Sequence, residues 1–224
     1  MAATRTRTDH DSMGMLQVPV GALYGASTQR AVQNFPISGH AVSWEVIHAF
    51  ALLKRAAAEA NRELGKLDAK RTRLIVKACS DIVAGLENPE ARPDMMQHFP
   101  VDIFQTGSGT SSNVNVNEVI ANMISISVGK KLGSFDPVHP NDHVNMGQSS
   151  NDTFPTAIQV AAASHLKKLM VPDLKKLASA LHRKAKQFDG IVKIGRTHLQ
   201  DATPIRLGQE FSGFAAQMDL AVER

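Results

Sequence analysis

Residues 152–188, DTFPTAIQVAAASHLKKLMVPDLKKLASALHRKAKQF, decide the fold class of this chain. Ala, Leu and Lys dominate the stretch, and all three residue types favour helix. We predict a long helical stretch with a break at Pro172, because a proline ring removes a backbone donor and clashes with the preceding turn.

Shorter helices are predicted before this stretch. Ser43 is a suitable N-cap for a helix over 44–64, and Asp68 for a second helix that ends near Gly85. A third helix is predicted over about 114–128. No segment has four or more β-branched residues alternating with polar ones, so we expect no strand. The predicted fold class is therefore mainly α, with residues 1–40 irregular.

The composition excludes several classes of protein. The chain has 224 residues, and 25 Lys and Arg against 21 Asp and Glu give a formal net charge of +4. A hydrophobic content of 43% is too high for a disordered chain. The single cysteine, Cys79, excludes a disulfide framework and a cysteine-based zinc module. We interpret Cys79 as an inert core residue.

Neither a membrane span nor a signal peptide is predicted. No apolar run approaches the roughly 18–20 residues that cross a bilayer. The first residues, MAATRTRTDHDSMG, lack the apolar core of a signal peptide. We therefore expect a cytoplasmic protein with no membrane partner. The last residues, FSGFAAQMDLAVER, keep helical periodicity with no stop signal, so we expect the chain to end inside a helix.

The chemistry is predicted to lie in three polar loops, over 105–118, 136–153 and 195–204. The first contains QTGSGTSSN, in which hydroxyls surround two glycines at a helix entrance. Backbone N–H groups and hydroxyls beside a positive helix end suit a carboxylate or phosphate. A plain N-cap with a flexible lead-in is the alternative. The loop is not a Walker motif, because no Lys follows the second glycine at the required place.

The second loop, HPNDHVNMGQSSND over 139–152, holds more Asn and Ser than a surface loop needs. In the alternative interpretation, Asn151 or Asp152 simply caps the next helix.

The spacing His139-x-x-Asp142-His143 superficially resembles a zinc motif. We predict no metal, because Asp replaces Glu and Pro140 disfavours the helix that would place both imidazoles on one face. No Cys or second acidic cluster completes a ligand set.

The third loop, GRTHLQD over 195–201, centres on His198. Histidine, with a pKa near 6.5, is the natural proton carrier at neutral pH. A structural histidine is the alternative. Asp201 could orient the imidazole or cap the helix that follows.

A basic helix runs through residues 167–186 and carries seven Lys and Arg. We interpret much of it as a solvated face. Nucleic-acid binding is disfavoured because the stretch lacks aromatic residues on which bases could stack. We predict no nucleic-acid partner.

In this order, the three loops strongly resemble three blocks of the fumarase/aspartase superfamily. The blocks read TGSGTSSNVNVNE, HPNDHVNMGQSSND and GRTHLQDATP, and VPVGALYGASTQRAVQNFPISG resembles the N-terminal segment of the family. The match covers essentially the whole chain from about Asp11. The residues at 107–110, the residues at 149–152 and the initial His139 of H-P-N-D favour the class II fumarases over the aspartases.

The resemblance implies a fold and a reaction. The fold is an N-terminal helical domain over 1–146, followed by the first part of a long central helical bundle over 147–224. The reaction is reversible addition of water to fumarate, giving L-malate in the tricarboxylic acid cycle, with no cofactor. Removing a proton beside a carboxylate creates a carbanion, which several pre-aimed donors would stabilise.

The resemblance also implies a role for individual residues. His198 is the implied acid/base that handles the water. The implied substrate ligands are Ser108, Gly109, Thr110, Ser149, Ser150, Asn151 and Thr197. A second carboxylate site of the family is matched by His139, Asn141 and Asp142.

The chain departs from the family pattern in its charges and in its length. Residues 135–137, Phe-Asp-Pro, replace a basic residue of some fumarases, and Met146 stands where many relatives have Lys. Family members are about twice as long. Their other half carries the mobile loop G-S-S-x-M-P-G-K-x-N-P, whose Ser is the carbon-proton base, and most of the bundle that forms homotetramers with shared active sites.

We therefore expect an N-terminal half that alone binds poorly and does not turn over. Two alternatives remain. One is an aspartate ammonia-lyase, and the other is a non-catalytic fragment or paralogue that only assembles with intact subunits.

Overall fold

The structure is a computed structural model that describes residues 5–224, and helices dominate it. The first four residues of the predicted irregular segment lie outside the described residues. In chain order the elements are β1 (Thr6–Asp11), β2 (Gly14–Pro19), α1 (Ala26–Asn34), α2 (Trp44–Glu63), α3 (Ala69–Glu87), α4 (Arg92–Met96), α5 (Thr110–Ser127), a π-helical turn (Pro140–Val144), α6 (Ser150–His165), a π-helical segment (Leu166–Met170), α7 (Val171–Gln187), β3 (Val192–Thr197), β4 (Gln200–Arg206) and α8 (Leu207–Glu223). The prediction of a mainly α fold is confirmed.

The chain divides into two compact units, one up to Ala161 and one over Ala162–Arg224. The predicted domain boundary after residue 146 concerns the domains of the family and stays a prediction. In the first unit, α2, α3 and α5 surround the core, in which Phe50, Ile75 and Ile120 are completely buried.

The caps of α2 and α3 follow the sequence. Asp68 accepts hydrogen bonds from the backbone N–H groups of Lys70 and Arg71, as an N-cap should. Ser43 occupies the N-cap position of α2 in an extended conformation, although its side chain makes no capping bond. Gly65 follows α2 with φ of 68°, where glycine ends a helix without strain.

Two helices begin earlier than predicted. Helix α5 starts at Thr110 and not near residue 114, and twelve of its residues are buried. Burial against the core outweighs the preference of Ser, Thr and Asn for turns. Helix α6 starts at Ser150, so Asn151 and Asp152 lie in its first turn and do not cap it.

The expectation of no strand is wrong, because two antiparallel hairpins occur. The first pairs β1 with β2 inside the segment predicted to be irregular. Strand β1 is polar throughout, and Val18 is the one buried apolar residue of β2, so no alternating apolar pattern marks these strands. The Arg7 guanidinium fixes this hairpin by donating to the carbonyls of Pro19, Ala22 and Tyr24.

In the second unit, α7 packs against α8, and the rings of Phe188 and Phe211 meet with centroids 5.2 Å apart. The break predicted at Pro172 takes the form of the wider π-helical segment that ends at Met170. No helix within residues 5–224 is both long enough and apolar enough to cross a membrane.

Candidate active site

Three hydroxyls form a hydrogen-bonded chain across the N-termini of α5 and α6. Ser108 Oγ lies 2.8 Å from Thr110 Oγ1, which lies 2.8 Å from Ser150 Oγ. Thr110 is the first residue of α5 and Ser150 the first of α6. Two of the predicted loops therefore meet at one place, where two helix N-termini and three hydroxyls can donate to an anion.

Gly109 sets how closely the two helices approach. It precedes α5 with φ of 67°, a left-handed conformation that glycine adopts without strain. A Cβ atom built on Gly109 would lie 2.0 Å from Cγ of Phe154 in α6. Only a glycine lets that ring pack against the turn that carries Ser108 and Thr110.

Ser149 and Asn151 flank the hydroxyl chain and are exposed. The Ser149 carbonyl accepts from the backbone N–H groups of Asp152 and Thr153, at 3.1 and 2.9 Å, and so closes the first turn of α6. The side chains of Ser149 and Asn151 make no hydrogen bond to another residue in the described part of the chain. Both remain available to a ligand.

Lys54, which sequence reasoning missed, lies in a buried polar network beside the hydroxyl chain. It is completely buried, and its Nζ donates to Oδ1 of Asn113 at 2.7 Å and of Asn145 at 2.9 Å. Burial lowers the pKa of Lys54 to about 7. A signal was present in the sequence, because Ile47, Phe50 and Lys54 follow one another at the three- and four-residue spacing of the buried face of α2.

Glu118 of α5 also went unnoticed, and its role is structural. Its carboxylate accepts from the backbone N–H groups of Gly25, Ser27 and Thr28 at 2.8 to 3.2 Å, and from the Thr28 hydroxyl at 2.6 Å. Burial raises the pKa of Glu118, while these four donors oppose the rise. The carboxylate caps α1, which has no side-chain cap of its own.

Two of the three residues assigned to the second carboxylate site line a cavity of about 370 Å³ in the first unit. These are His139 and Asn141, while the exposed Asp142 lies beside His139 on the π-helical turn. The lining comprises His10, Asp11, Ser12, Ser27, Val114, Glu118, Phe135, His139, Pro140 and Asn141.

The charges around this cavity do not favour an anion. Its lining contains two carboxylates and no Lys or Arg. The Asp11 carboxylate is already paired with Arg30, and that bond lowers the pKa of Asp11. Nδ1 of His139 accepts from the backbone N–H of Asp142 at 3.3 Å, and the Asp142 carboxylate lies 3.2 Å from the same atom.

The third predicted loop is a β-hairpin, with Thr197 at the end of β3 and His198 at its tip. The expectation of a loop is wrong, although the hairpin contains two residue types that usually interrupt strands. Gly195 lies at a shift in the pairing register, and Pro204 pairs with Ile194. His198 and Leu199 form the two-residue turn with φ of 51° and 63°. Such a turn normally uses Asn or Gly, so the backbone is strained, and strain of this kind concentrates at functional sites.

The His198 imidazole is exposed and has no hydrogen-bond or ion-pair partner in the described part of the chain. Thr197 and His198 belong to the second unit, whereas Ser108, Thr110 and Ser150 belong to the first.

Cys79 is completely buried in the core. Lys175 and Lys176 of the basic helix are exposed, and Lys176 pairs with Asp173. Residues 5–224 contain no group of three or more His, Cys, Asp or Glu side chains that could hold a metal ion.

A family model described as "Lyase" matches residues 14–224 of the chain. The fumarate hydratase class II of Halobacterium salinarum is 52% identical over 218 residues, which cover 97% of this chain and 44% of that protein. The corresponding protein of Corynebacterium glutamicum is 50% identical over 224 residues, or 100% of this chain and 44% of that protein. The chain thus spans about half the length of these curated relatives.

Solved structures agree with these matches. The chain superposes on a fumarate lyase:delta crystallin from Brucella melitensis with a TM-score of 0.88 and 43% identity, covering 98% of this chain and 50% of that one. For the recombinant class II fumarase of Schistosoma mansoni, the TM-score is 0.85, the identity is 40%, and the coverage is 98% and 44%. The resemblance stated from the three loops is confirmed, and the chain belongs to the lyase family, among relatives that are class II fumarate hydratases.

Proposed function

We propose that this chain is the N-terminal part of a class II fumarate hydratase, which adds water reversibly to fumarate to give L-malate. The observation that carries the proposal is the chain of hydroxyls from Ser108 through Thr110 to Ser150 across two helix N-termini. Curated relatives of that name, about 50% identical, support the choice of substrate. The same reaction would place the protein in the tricarboxylic acid cycle, and we propose the cytoplasm as its location.

The hydroxyl chain suits a dicarboxylate that gains charge during reaction. Each hydroxyl can turn its proton from its neighbour towards a carboxylate oxygen, and helix N-termini favour negative charge. The backbone holds these donors before substrate arrives, which is the condition for strong electrostatic stabilisation of a carbanion. Ser149, Asn151 and Gly109 would complete this substrate-binding set.

We assign His198 the acid/base role at the carbon–oxygen bond, with Thr197 beside it as a substrate ligand. The turn presents an exposed imidazole with no competing partner in the described part of the chain, so the ring is free to accept or donate a proton at the water molecule. The base that removes the carbon-bound proton would come from sequence that the chain does not contain.

We propose that His139, Asn141 and Asp142 form a second, weak carboxylate site at the periphery. The Glu118 carboxylate in the lining opposes a dianion there, whereas the charge of Asp11 is already paired with Arg30.

Activity would require the other half of the enzyme, assembled as a homotetramer with shared sites. The purified 224-residue chain should show no loss of fumarate absorbance. Co-expression with the part of the Halobacterium salinarum relative that this chain does not match should restore turnover. Turnover by the chain alone within tenfold of a full-length fumarase would refute its dependence on the missing half.

Two variants of the co-expressed enzyme test the hydroxyl chain. Ser150→Ala should lower kcat by about 100-fold or more, as removing one pre-aimed donor does elsewhere. Ser111→Ala, a neighbouring hydroxyl of α5 outside the chain, is the matched control and should stay close to the parent. Ammonia release from aspartate without malate formation would instead identify an aspartate ammonia-lyase.

A further inference from the structure

Lys54 is a buried cation without an acidic partner. Its side chain is completely buried on α2, and it forms no ion pair with any carboxylate among residues 5–224. The titratable group that faces it is the Cys79 thiol of α3, whose own pKa burial raises to about 12. The other neighbouring groups bonded to it are neutral amides. A buried ammonium in this setting is costly, and the polar groups around it must hold it.

Those polar groups connect the same two helices that carry the hydroxyl chain. Asn113 Oδ1 accepts from Lys54 Nζ and also from the Thr153 hydroxyl, at 2.7 and 3.2 Å. Asn113 lies one helical turn after Thr110 in α5, and Thr153 lies one turn after Ser150 in α6. The buried bridge and the exposed hydroxyl contact therefore join the same first turns.

Asn145 extends the bridge to the segment that precedes α6. Its Oδ1 accepts from Lys54 at 2.9 Å, from Asn113 at 3.0 Å and from Asn117 at 3.3 Å. Its Nδ2 donates to the carbonyl of Gln148 at 3.1 Å, close to the start of α6. Asn113 and Asn145 are thus the two amide acceptors that hold the buried ammonium.

We propose that Lys54 is a positioning residue of the candidate active site, which sets the separation of the Thr110 and Ser150 hydroxyls through Asn113 and Asn145. A charged donor makes hydrogen bonds about twice as strong as a neutral one. Loss of the proton from Lys54 would therefore loosen both amides and the two first turns they hold. Because the pKa of Lys54 is about 7, this change falls near neutral pH.

The proposal is tested by NMR on the 224-residue chain, with ¹³C-labelled lysine and threonine methyl groups. The Lys54 ¹³Cε signal reports its own protonation, and the Thr110 methyl reports the site. Both signals should change with the same midpoint near pH 7. In Lys54→Met the Thr110 signal should be displaced at pH 6, and the transition shared with Lys54 should be absent. Lys66→Met, at an exposed lysine, is the matched control and should keep the transition.

A second variant covers the case in which Lys54→Met does not fold. Asn113→Asp places a carboxylate on Nζ, which should raise the midpoint of Lys54 and move the Thr110 transition upward by the same amount. The proposal is overturned if folded Lys54→Met superimposes on the parent at pH 6. It is equally overturned if Thr110 does not follow Lys54 in Asn113→Asp.

The importance of the Thr110–Ser150 separation for catalysis rests on the proposed function, but the NMR test of Lys54 does not. Fumarate binding, measured separately on the co-expressed enzyme, distinguishes the two ideas. Failure of fumarate to bind even in the co-expressed enzyme would count against the proposed function, while the coupling of Thr110 to Lys54 would still decide the role of Lys54.

Discussion

Replacement of Gly109 by Ala should damage the fold in two separable ways. An alanine at φ of 67° costs about 1–2 kcal/mol for the left-handed backbone. Its Cβ would also lie 2.0 Å from Cγ and 2.4 Å from Cδ1 and Cδ2 of Phe154, so the ring must shift. Overpacking of this kind costs about 1–3 kcal/mol. We expect Gly109→Ala to lower the free energy of unfolding by about 2–5 kcal/mol.

Urea denaturation at pH 7, with a matched control, isolates the steric part of the loss in free energy of unfolding. Gly129 has φ of 75° and nothing within 4 Å of a Cβ, so Gly129→Ala carries only the backbone cost. The additional loss in Gly109→Ala measures the clash, and Phe154→Leu in the same chain should recover part of it. Equal losses in Gly109→Ala and Gly129→Ala would refute the argument that Phe154 demands a glycine here.

Three further predictions concern the scaffold. Glu118→Gln should lower the free energy of unfolding, measured in urea, by about 1–3 kcal/mol, because an amide oxygen cannot accept all four hydrogen bonds. Glu87→Gln, at an exposed carboxylate, is the control and should have little effect in the same measurement. Asp68→Ala should lower the Tm at pH 7. The pKa of Asp68 in the folded chain is about 2, below its usual 3.8, so the charged carboxylate stabilises the fold. The difference in Tm between parent and variant should therefore persist above pH 4 and shrink as the pH falls through 2. The Cys79 thiol, buried and with a pKa of about 12, should resist alkylation at pH 8 until urea unfolds the chain, and rapid labelling of the folded chain would contradict its burial.

The long helices could be predicted from the sequence, and the hairpins could not. Caps such as Asp68 are local signals that one segment carries by itself. The strand β1 is polar, and the hydrogen bonds that fix it run from the Arg7 guanidinium to carbonyls 12 to 17 residues away. Helix α1 was missed for the same reason, because its capping group, Glu118, lies about 90 residues away.

The candidate site shows the same division. The Ser, Thr and Asn of the three loops stand out locally, but no periodicity predicts that Thr110 and Ser150, 40 residues apart, share a hydrogen bond. Only the resemblance to a family indicated that the three loops belong to one site. Lys54 escaped notice because a lysine in a helix is usually solvated, and only its place on the apolar face of α2 marks it as buried.

Helix α5 explains why polar residues are needed deep in this unit. An apolar helix in an apolar core can rotate or slide at modest cost, whereas a buried amide must keep its partner. Asn115 donates to the His98 carbonyl at 2.9 Å, and Asn122 donates to the Leu23 carbonyl at 2.8 Å and accepts from Gly133 N–H at 2.8 Å.

These bonds, together with those of Asn113, fix both the rotation and the register of α5 along its length. A shift by one residue would leave several buried amides unpaired, each at about 1–3 kcal/mol. We infer that the buried amides hold Thr110 in place at the exposed end of the helix. The polarity of α5, which weakens it as a core element, is thus what allows a helix terminus to present a hydroxyl at a defined position.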